Sequence, residues 1–338
     1  MYERYALLMI IPHLSSLRNY LTSSIVKLCC LTVFLSLGAC GGSATSDKSA
    51  SGRGDLKVVT TFLPMTLFAT AVAGDCATVT ALIPPNLGPH DFQATPATAS
   101  ALSQAQVLVE NGLDMEGFLE KLVSSADNAN LVIINTSDGV KALESSESDH
   151  NGHNGHHGHL YHDNGEVNPH IWLDPVRAAQ QVGNIRDGLV EADPGCASAY
   201  QRNAELYTQK LNDLNNDIAK QLQAYSGQSF VAFHDFAPYF AERYQLKASY
   251  IVDLPEMNPS PVDLQRVATQ VRQSQLKALL SEPQEGNRSF NALAKDLGIK
   301  IVEFDPLETG SLESSFDPNT YFKVMSSNVT SLIHAIGG

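Results

Sequence analysis

With 338 residues, 43% of them hydrophobic and 17% charged, the chain is long enough for two packed domains and too apolar to remain disordered. A net charge of −14 argues against nucleic acid as a partner and draws cations toward the surface, without identifying a ligand.

The first forty residues differ from the rest. Arg18 and Lys27 precede an apolar run, 28–37, that suits the core of an export signal and is too short to span a bilayer. The run closes on Leu37-Gly38-Ala39-Cys40, followed by Gly41, Gly42 and a Ser-rich stretch to Gly54. This pattern resembles a bacterial lipobox. The resemblance implies cleavage before Cys40, a lipid on its sulfur, and a flexible tether over 41–54. An ordinary cleaved signal with an incidental cysteine is the alternative. Either way the mature chain is expected in the periplasm or cell envelope, and loss of three basic residues and one acidic one takes its net charge from −14 to −16. Cys29 and Cys30 leave with the signal. Cys76 and Cys196 remain; an oxidising envelope permits a disulfide between them, but sequence leaves their pairing open, and they lack the paired spacing of a zinc knuckle.

From Leu56 onward short β-branched runs alternate with helical patterns. Strands are predicted at 57–61, 79–83, 107–109 and 131–134, then at 230–233, 249–252, 278–280 and 300–304. Strand, helix, strand at this spacing predicts an α/β fold of two lobes, each with a mainly four-stranded parallel sheet flanked by helices. The lobes are expected over 55–190 and 227–338. Between them, Asp193 and Pro194 start a helix whose apolar residues Tyr200, Ala204, Tyr207, Leu211, Leu214, Ile218 and Leu222 recur every three or four positions. A linking helix over 191–226 is long enough to brace both lobes. A partner-binding coiled coil is the bland reading, but the heptad pattern stops at Gly227.

The eleven histidines fall into unlike groups. His150, His153, His156, His157, His159 and His162 crowd a Gly/Asn/Asp-rich segment, 149–164, that lacks the apolar residues of a core and reads as an auxiliary metal-binding loop. His90, His170 and His234 each lie in or beside a rigid loop between predicted elements. His90 follows Pro84-Pro85-Asn86-Leu87-Gly88-Pro89, and His170 follows Asn168-Pro169 and leads into Asp174-Pro175, a helix cap and start. His234 ends the strand 230–233, and Asp305 likewise ends the strand 300–304. Ligands of open α/β sheets collect beyond the carboxyl ends of strands, so these four residues converge on a cleft between lobes. Taken singly, each histidine reads as a satisfied loop residue and Asp305 as a cap. Together, three neutral imidazoles and a carboxylate suit Zn(II), whereas Mn(II) favours more oxygen. His13, in the signal, and His334, in the last helix, receive no role.

These residues carry a resemblance that spans about 55–336. It rests on Thr60-Thr61-Phe62-Leu63-Pro64, Pro89-His90-Asp91-Phe92, Asn111-Gly112-Leu113 with Glu116, and Asn168-Pro169-His170-Ile171-Trp172-Leu173-Asp174-Pro175. In the second half its carriers are His234-Asp235-Phe236 with Tyr239-Phe240, Pro259-Ser260-Pro261, Glu282-Pro283-Gln284 and Asp305-Pro306-Leu307. In this order they resemble the substrate-binding proteins of zinc and manganese ABC importers. The resemblance implies two α/β lobes on one rigid helix, and a metal held by His90, His170, His234 and Asp305. It also implies a monomeric receptor that delivers its ion to a membrane permease driven by an ATPase, with no catalytic activity. Manganese members tend to have Glu at the third position, so His234 and the histidine-rich loop both imply the zinc branch. A manganese or iron receptor, a lipid-anchored zinc buffer or adhesin, and a three-histidine zinc hydrolase are the competing readings. The last lacks an HExxH motif or a nucleophile elbow.

Overall fold

A computed structural model describes residues 56–144 and 167–337, apart from 253, 256–258, 275, 277 and 284–287. The export signal, the tether, Cys40 and the histidine-rich segment with its six histidines lie outside the described residues.

The first sheet comprises β1 (Leu56–Thr60), β2 (Ala77–Ala81), β3 (Val107–Glu110) and β4 (Val132–Asn135), all parallel, in the order β2-β1-β3-β4. The second, β5 (Ser229–His234), β6 (Lys247–Val252), β7 (Ala278–Ser281) and β8 (Lys300–Glu303), repeats that plan as β6-β5-β7-β8. The central strands β1, β3 and β5 are buried almost throughout, as parallel strands covered on both faces must be, whereas the edge strands β4 and β8 are largely open to solvent. β2 and β6 both begin two residues earlier than expected, and β2 also ends two residues early. Leu82 and Ile83 then leave the strand while still donating their N–H groups to Thr60 and Thr61, so the apolar pattern runs past the regular ladder.

In each sheet the chain runs outward one way and then returns to the other side of its first strand. The crevice this opens, between β1 and β3 and between β5 and β7, is where such sheets receive ligands.

The flanking helices are α1 (Leu63–Ala73), α2 (Pro96–Gln104), α3 (Leu119–Ala126), α4 (Pro175–Ala192), α5 (Ala197–Leu222), α6 (Pro238–Arg243), α7 (Pro261–Ser274), α8 (Arg288–Leu297) and α9 (Thr320–Gly337). The expected linking helix is α5, preceded by a 3-10 turn at Pro194–Cys196. Its 26 residues span ~39 Å at 1.5 Å per residue. Tyr200, Ala204, Tyr207, Leu211, Ile218 and Leu222 form its buried face, against α1, α4 and α9. One apolar cluster therefore runs from Val58 and Phe68 of the first sheet's layer, through α5, to Phe230 and Leu332 of the second. Cys76, just before β2, is joined by a disulfide to Cys196, just before α5, which settles the pairing that sequence left open. No described helix is long and apolar enough to cross a membrane.

Gly188 lets α4 lie close on β4: a Cβ there would fall 2.4 and 2.5 Å from Cδ1 and Cγ1 of Ile134. Alanine in a helix is favoured over glycine by about 1 kcal/mol, but overpacking against a stiff β-branched side chain costs about 1–3 kcal/mol. Gly188→Ala is expected to lower the urea midpoint with the m-value unchanged, and Ile134→Val in the same protein to recover part of the loss.

Candidate metal centre

His90, His170, His234 and Glu308 each place one donor atom within 4.8 Å of all the others. Each arrives by a different local device. His90 lies in the loop after β2, where Leu87 N–H closes a turn on Pro84 O and Gly310 N–H donates to Pro85 O at 2.6 Å, tying this loop to the one that carries Glu308. His170 is set by Asn168, whose Oδ1 lies 3.0 Å from both the backbone N and the Nδ1 of His170. The chain then makes a short 3-10 turn, Ile171–Leu173, before Asp174 caps α4 by accepting the Val176 N–H, as its sequence predicts. His234 is the last residue of β5 and is fully buried.

The fourth member of the group is Glu308, and Asp305, the carboxylate expected there, is not among the four. Asp305 directs its Oδ1 to the Leu307 N–H at 2.7 Å, and its backbone N and O pair with the side chain of Asn328 at 2.9 and 2.7 Å. It shapes the turn. That turn brings Leu307 to a φ of 65°, a left-handed conformation that costs an L-residue about 1–2 kcal/mol, and Glu308 follows directly. Burial raises the Asp305 carboxyl to about 6. The rule that ligands gather beyond strand ends reaches the whole loop after β8, but residue type does not separate one carboxylate from another three positions on.

Glu308 Oε1 lies 3.0 Å from His170 Nε2, 3.2 Å from His234 Nε2 and 3.8 Å from His90 Nε2, and the two buried Nε2 atoms are 3.2 Å apart. Bonds of 2.0–2.1 Å in a tetrahedron separate donors by about 3.3 Å. Glu308, His170 and His234 match that spacing, and His90 stands somewhat further out, as a fourth donor that a bound ion would draw in. His90 Nε2 supports the fit, since it is buried with no hydrogen-bond partner among the described residues. Three borderline nitrogens and one oxygen suit zinc better than the oxygen-preferring cations.

The electrostatics divide the two inner imidazoles. Burial dominates His170 and lowers it to about 4 despite Glu308 beside it. Burial also opposes charge on His234, but the carboxylates of Glu282 and Glu308 outweigh it and raise the ring to about 10. Glu308 is buried too, yet the surrounding imidazoles, His234 foremost, hold it well below the ordinary carboxylate range.

Residues around the group explain other fragments of the sequence pattern. Glu116, beside the first sheet's crevice, accepts the Thr61 hydroxyl and the Asn111 and Gly112 N–H groups, while burial pushes its carboxyl up to about 7. Asn111 in turn donates from Nδ2 to Pro169 O, one residue before His170. Trp172 donates from Nε1 to Pro306 O, two residues before Glu308, and its ring lies 5.1 Å from that of His170.

The model of a family described as the zinc-uptake complex component A, periplasmic (ZnuA), matches residues 58–335. The chain is 33% identical over 301 residues to the high-affinity zinc uptake system protein ZnuA of Bacillus subtilis, covering 88% of this chain and 93% of that protein. It is 31% identical over 291 residues to the zinc-binding lipoprotein AdcA of Streptococcus pneumoniae, covering 86% of this chain but 57% of that longer protein. Among solved structures, the Zn(II)-bound ZnuA-like domain of S. pneumoniae AdcA superposes with a TM-score of 0.69 at 28% identity, covering 84% of this chain and all of that domain.

If Glu308 completes the group, Glu308→Ala weakens metal capture about 100-fold or more, because loss of an outer partner alone costs 10–100-fold. Asp305→Asn retains the Oδ1 acceptor of the turn and is expected to change affinity less than about tenfold. Competition against a chromophoric chelator measures both.

Proposed function

This chain belongs to the periplasmic ZnuA family, whose members are solute-binding proteins of zinc uptake and not enzymes, and from that premise we propose that it is a high-affinity Zn(II) receptor of an ABC importer. It captures the ion with His90, His170, His234 and Glu308 and delivers it to a membrane permease and its ATPase. The observation that carries this reading is the convergence of four donors within 4.8 Å of one another, with a buried nitrogen, His90 Nε2, that has no hydrogen-bond partner among the described residues. Four protein ligands leave no position for an activated water, as suits a carrier.

The His90 ring is 12% exposed while the other three side chains are nearly inaccessible, so the loop that carries His90 is the side of the group nearest solvent, from which the hydrated ion enters. Its waters are then exchanged for His170, His234 and Glu308 deeper in the cleft. His170 is ready, because burial keeps it neutral. His234 must give up a proton, and Glu308 supplies the negative charge that favours the dication over the proton it displaces.

The finer assignments belong to the same reading. The lobes are 55–190 and 227–338, joined by 191–226, and the receptor acts as a monomer. Lipid on Cys40 holds it at the membrane, and His150, His153, His156, His157, His159 and His162 bind further zinc weakly and feed the cleft. The name of the pneumococcal relative, a zinc-binding lipoprotein, supports the anchor.

Titration of the metal-free protein, followed by Trp172 fluorescence, is expected to show one tight Zn(II) site and much weaker Mn(II) binding, with the tight site lost in His234→Ala. Equal affinity for both ions would contradict a nitrogen-rich site. Deletion of 149–164 should leave the tight one-to-one site intact while lowering total zinc bound; collapse of the tight site would place it in the loop instead. For pH the sign follows from His234. Zinc binds the deprotonated ring, which is raised to about 10. Affinity therefore increases with pH by about tenfold per unit for the one proton displaced between pH 6 and 8. Zinc held at pH 7.5 should be released toward pH 5.

A further inference from the structure

The donors account for the inner face of His234 but leave its other nitrogen to a residue that no donor group includes. His234 Nδ1 lies 2.6 Å from Glu282 Oε1, with both side chains fully inaccessible to solvent. The same oxygen accepts the His234 backbone N–H at 3.3 Å.

The register of the second sheet produces this pair. β5 and β7 are neighbours in the crevice, with Val231 opposite Leu279 and Ala232 opposite Leu280. Two residues further along, the same parallel register sets His234 level with Glu282. Glu308 faces Nε2 of the ring and Glu282 faces Nδ1, so the two carboxylates lie on opposite edges of one imidazole. A carboxylate at Nδ1 accepts only a proton-bearing nitrogen. It thereby leaves Nε2 as the nitrogen with a lone pair, fixes the ring plane, and makes the ring a stronger donor. His170 is oriented by a different device, the neutral amide oxygen of Asn168 two residues before it.

We propose that Glu282 is the positioning residue of His234, holding it in the Nδ1–H tautomer with Nε2 directed at the ion, and that zinc affinity depends on this contact. The proposal rests on the zinc reading above and extends it to a residue that touches no metal.

A purely structural Glu282 would stabilise the fold without governing the ring's tautomer, and three proteins separate the two roles. In the wild type loaded with zinc, nitrogen-15 spectra of the histidines are expected to show His234 protonated at Nδ1 and metal-bound at Nε2. Glu282→Ala is expected to bind zinc about 10–100-fold more weakly and, when zinc-loaded, to show His234 as a mixture of Nε2-bound and Nδ1-bound rings. Glu282→Gln retains a carbonyl acceptor and is expected to recover most of the affinity and the single tautomer. Wild type that binds zinc with Glu282→Ala equally tight, or with His234 bound through Nδ1, overturns the positioning role and leaves the zinc reading standing. Wild type that binds no zinc overturns both. Should Glu282→Ala fail to fold, the wild-type tautomer decides alone.

Discussion

Glu308 places a buried carboxylate oxygen within 3.8 Å of three imidazole nitrogens, and the surrounding structure keeps these groups from moving apart. Without an ion, such a cluster stands only if charge is shared inside it. The division of roles does this: burial keeps His170 neutral, while Glu282 and Glu308 hold His234 cationic. A buried charge stripped of its partner costs several kcal/mol, roughly 3–5 in comparable pairs. A divalent cation relieves this arrangement by replacing a proton with two positive charges among the same donors.

The enforcement comes from bonds that cross between the two sheets' layers. Trp172 reaches Pro306 O, and Tyr321 reaches Trp172 O, so the chain after His170 is fastened to the loop before Glu308. Asn168 donates to the backbone and side chain of Asp235, next to His234, while orienting His170 with its other atom. Asp174 caps α4 and also accepts Arg177 and Arg243, the latter from α6 beyond β5. With α5 packed against α1, α4 and α9, these contacts make the position of each donor a property of both halves of the chain.

Much of this was legible before any coordinates. Short β-branched runs placed all eight strands, β2 and β6 with a start shifted by two residues; those of β1, β3 and β5 are mostly apolar because both faces of these strands are covered. The spacing of Tyr200, Ala204, Tyr207, Leu211, Ile218 and Leu222 marked the buried face of α5. His90, His170 and His234 stood out through rigid loops and strand ends, and the structure brings them together. Asp305 was chosen for the same reason and serves instead to turn the chain, since a carboxylate just past a strand satisfies its own loop as readily as a ligand.

The sequence by itself determined the elements, the paired parallel sheets and the three histidines, because periodicity, caps and Pro/Gly loops are local in origin. Tertiary structure alone brought the rest together: Glu308 beside the three histidines, Glu282 behind His234, and Cys76 joined to Cys196. Each of these depends on which atoms become neighbours across tens of residues. That is set by sheet register and by a left-handed turn at Leu307, and no local pattern encodes it.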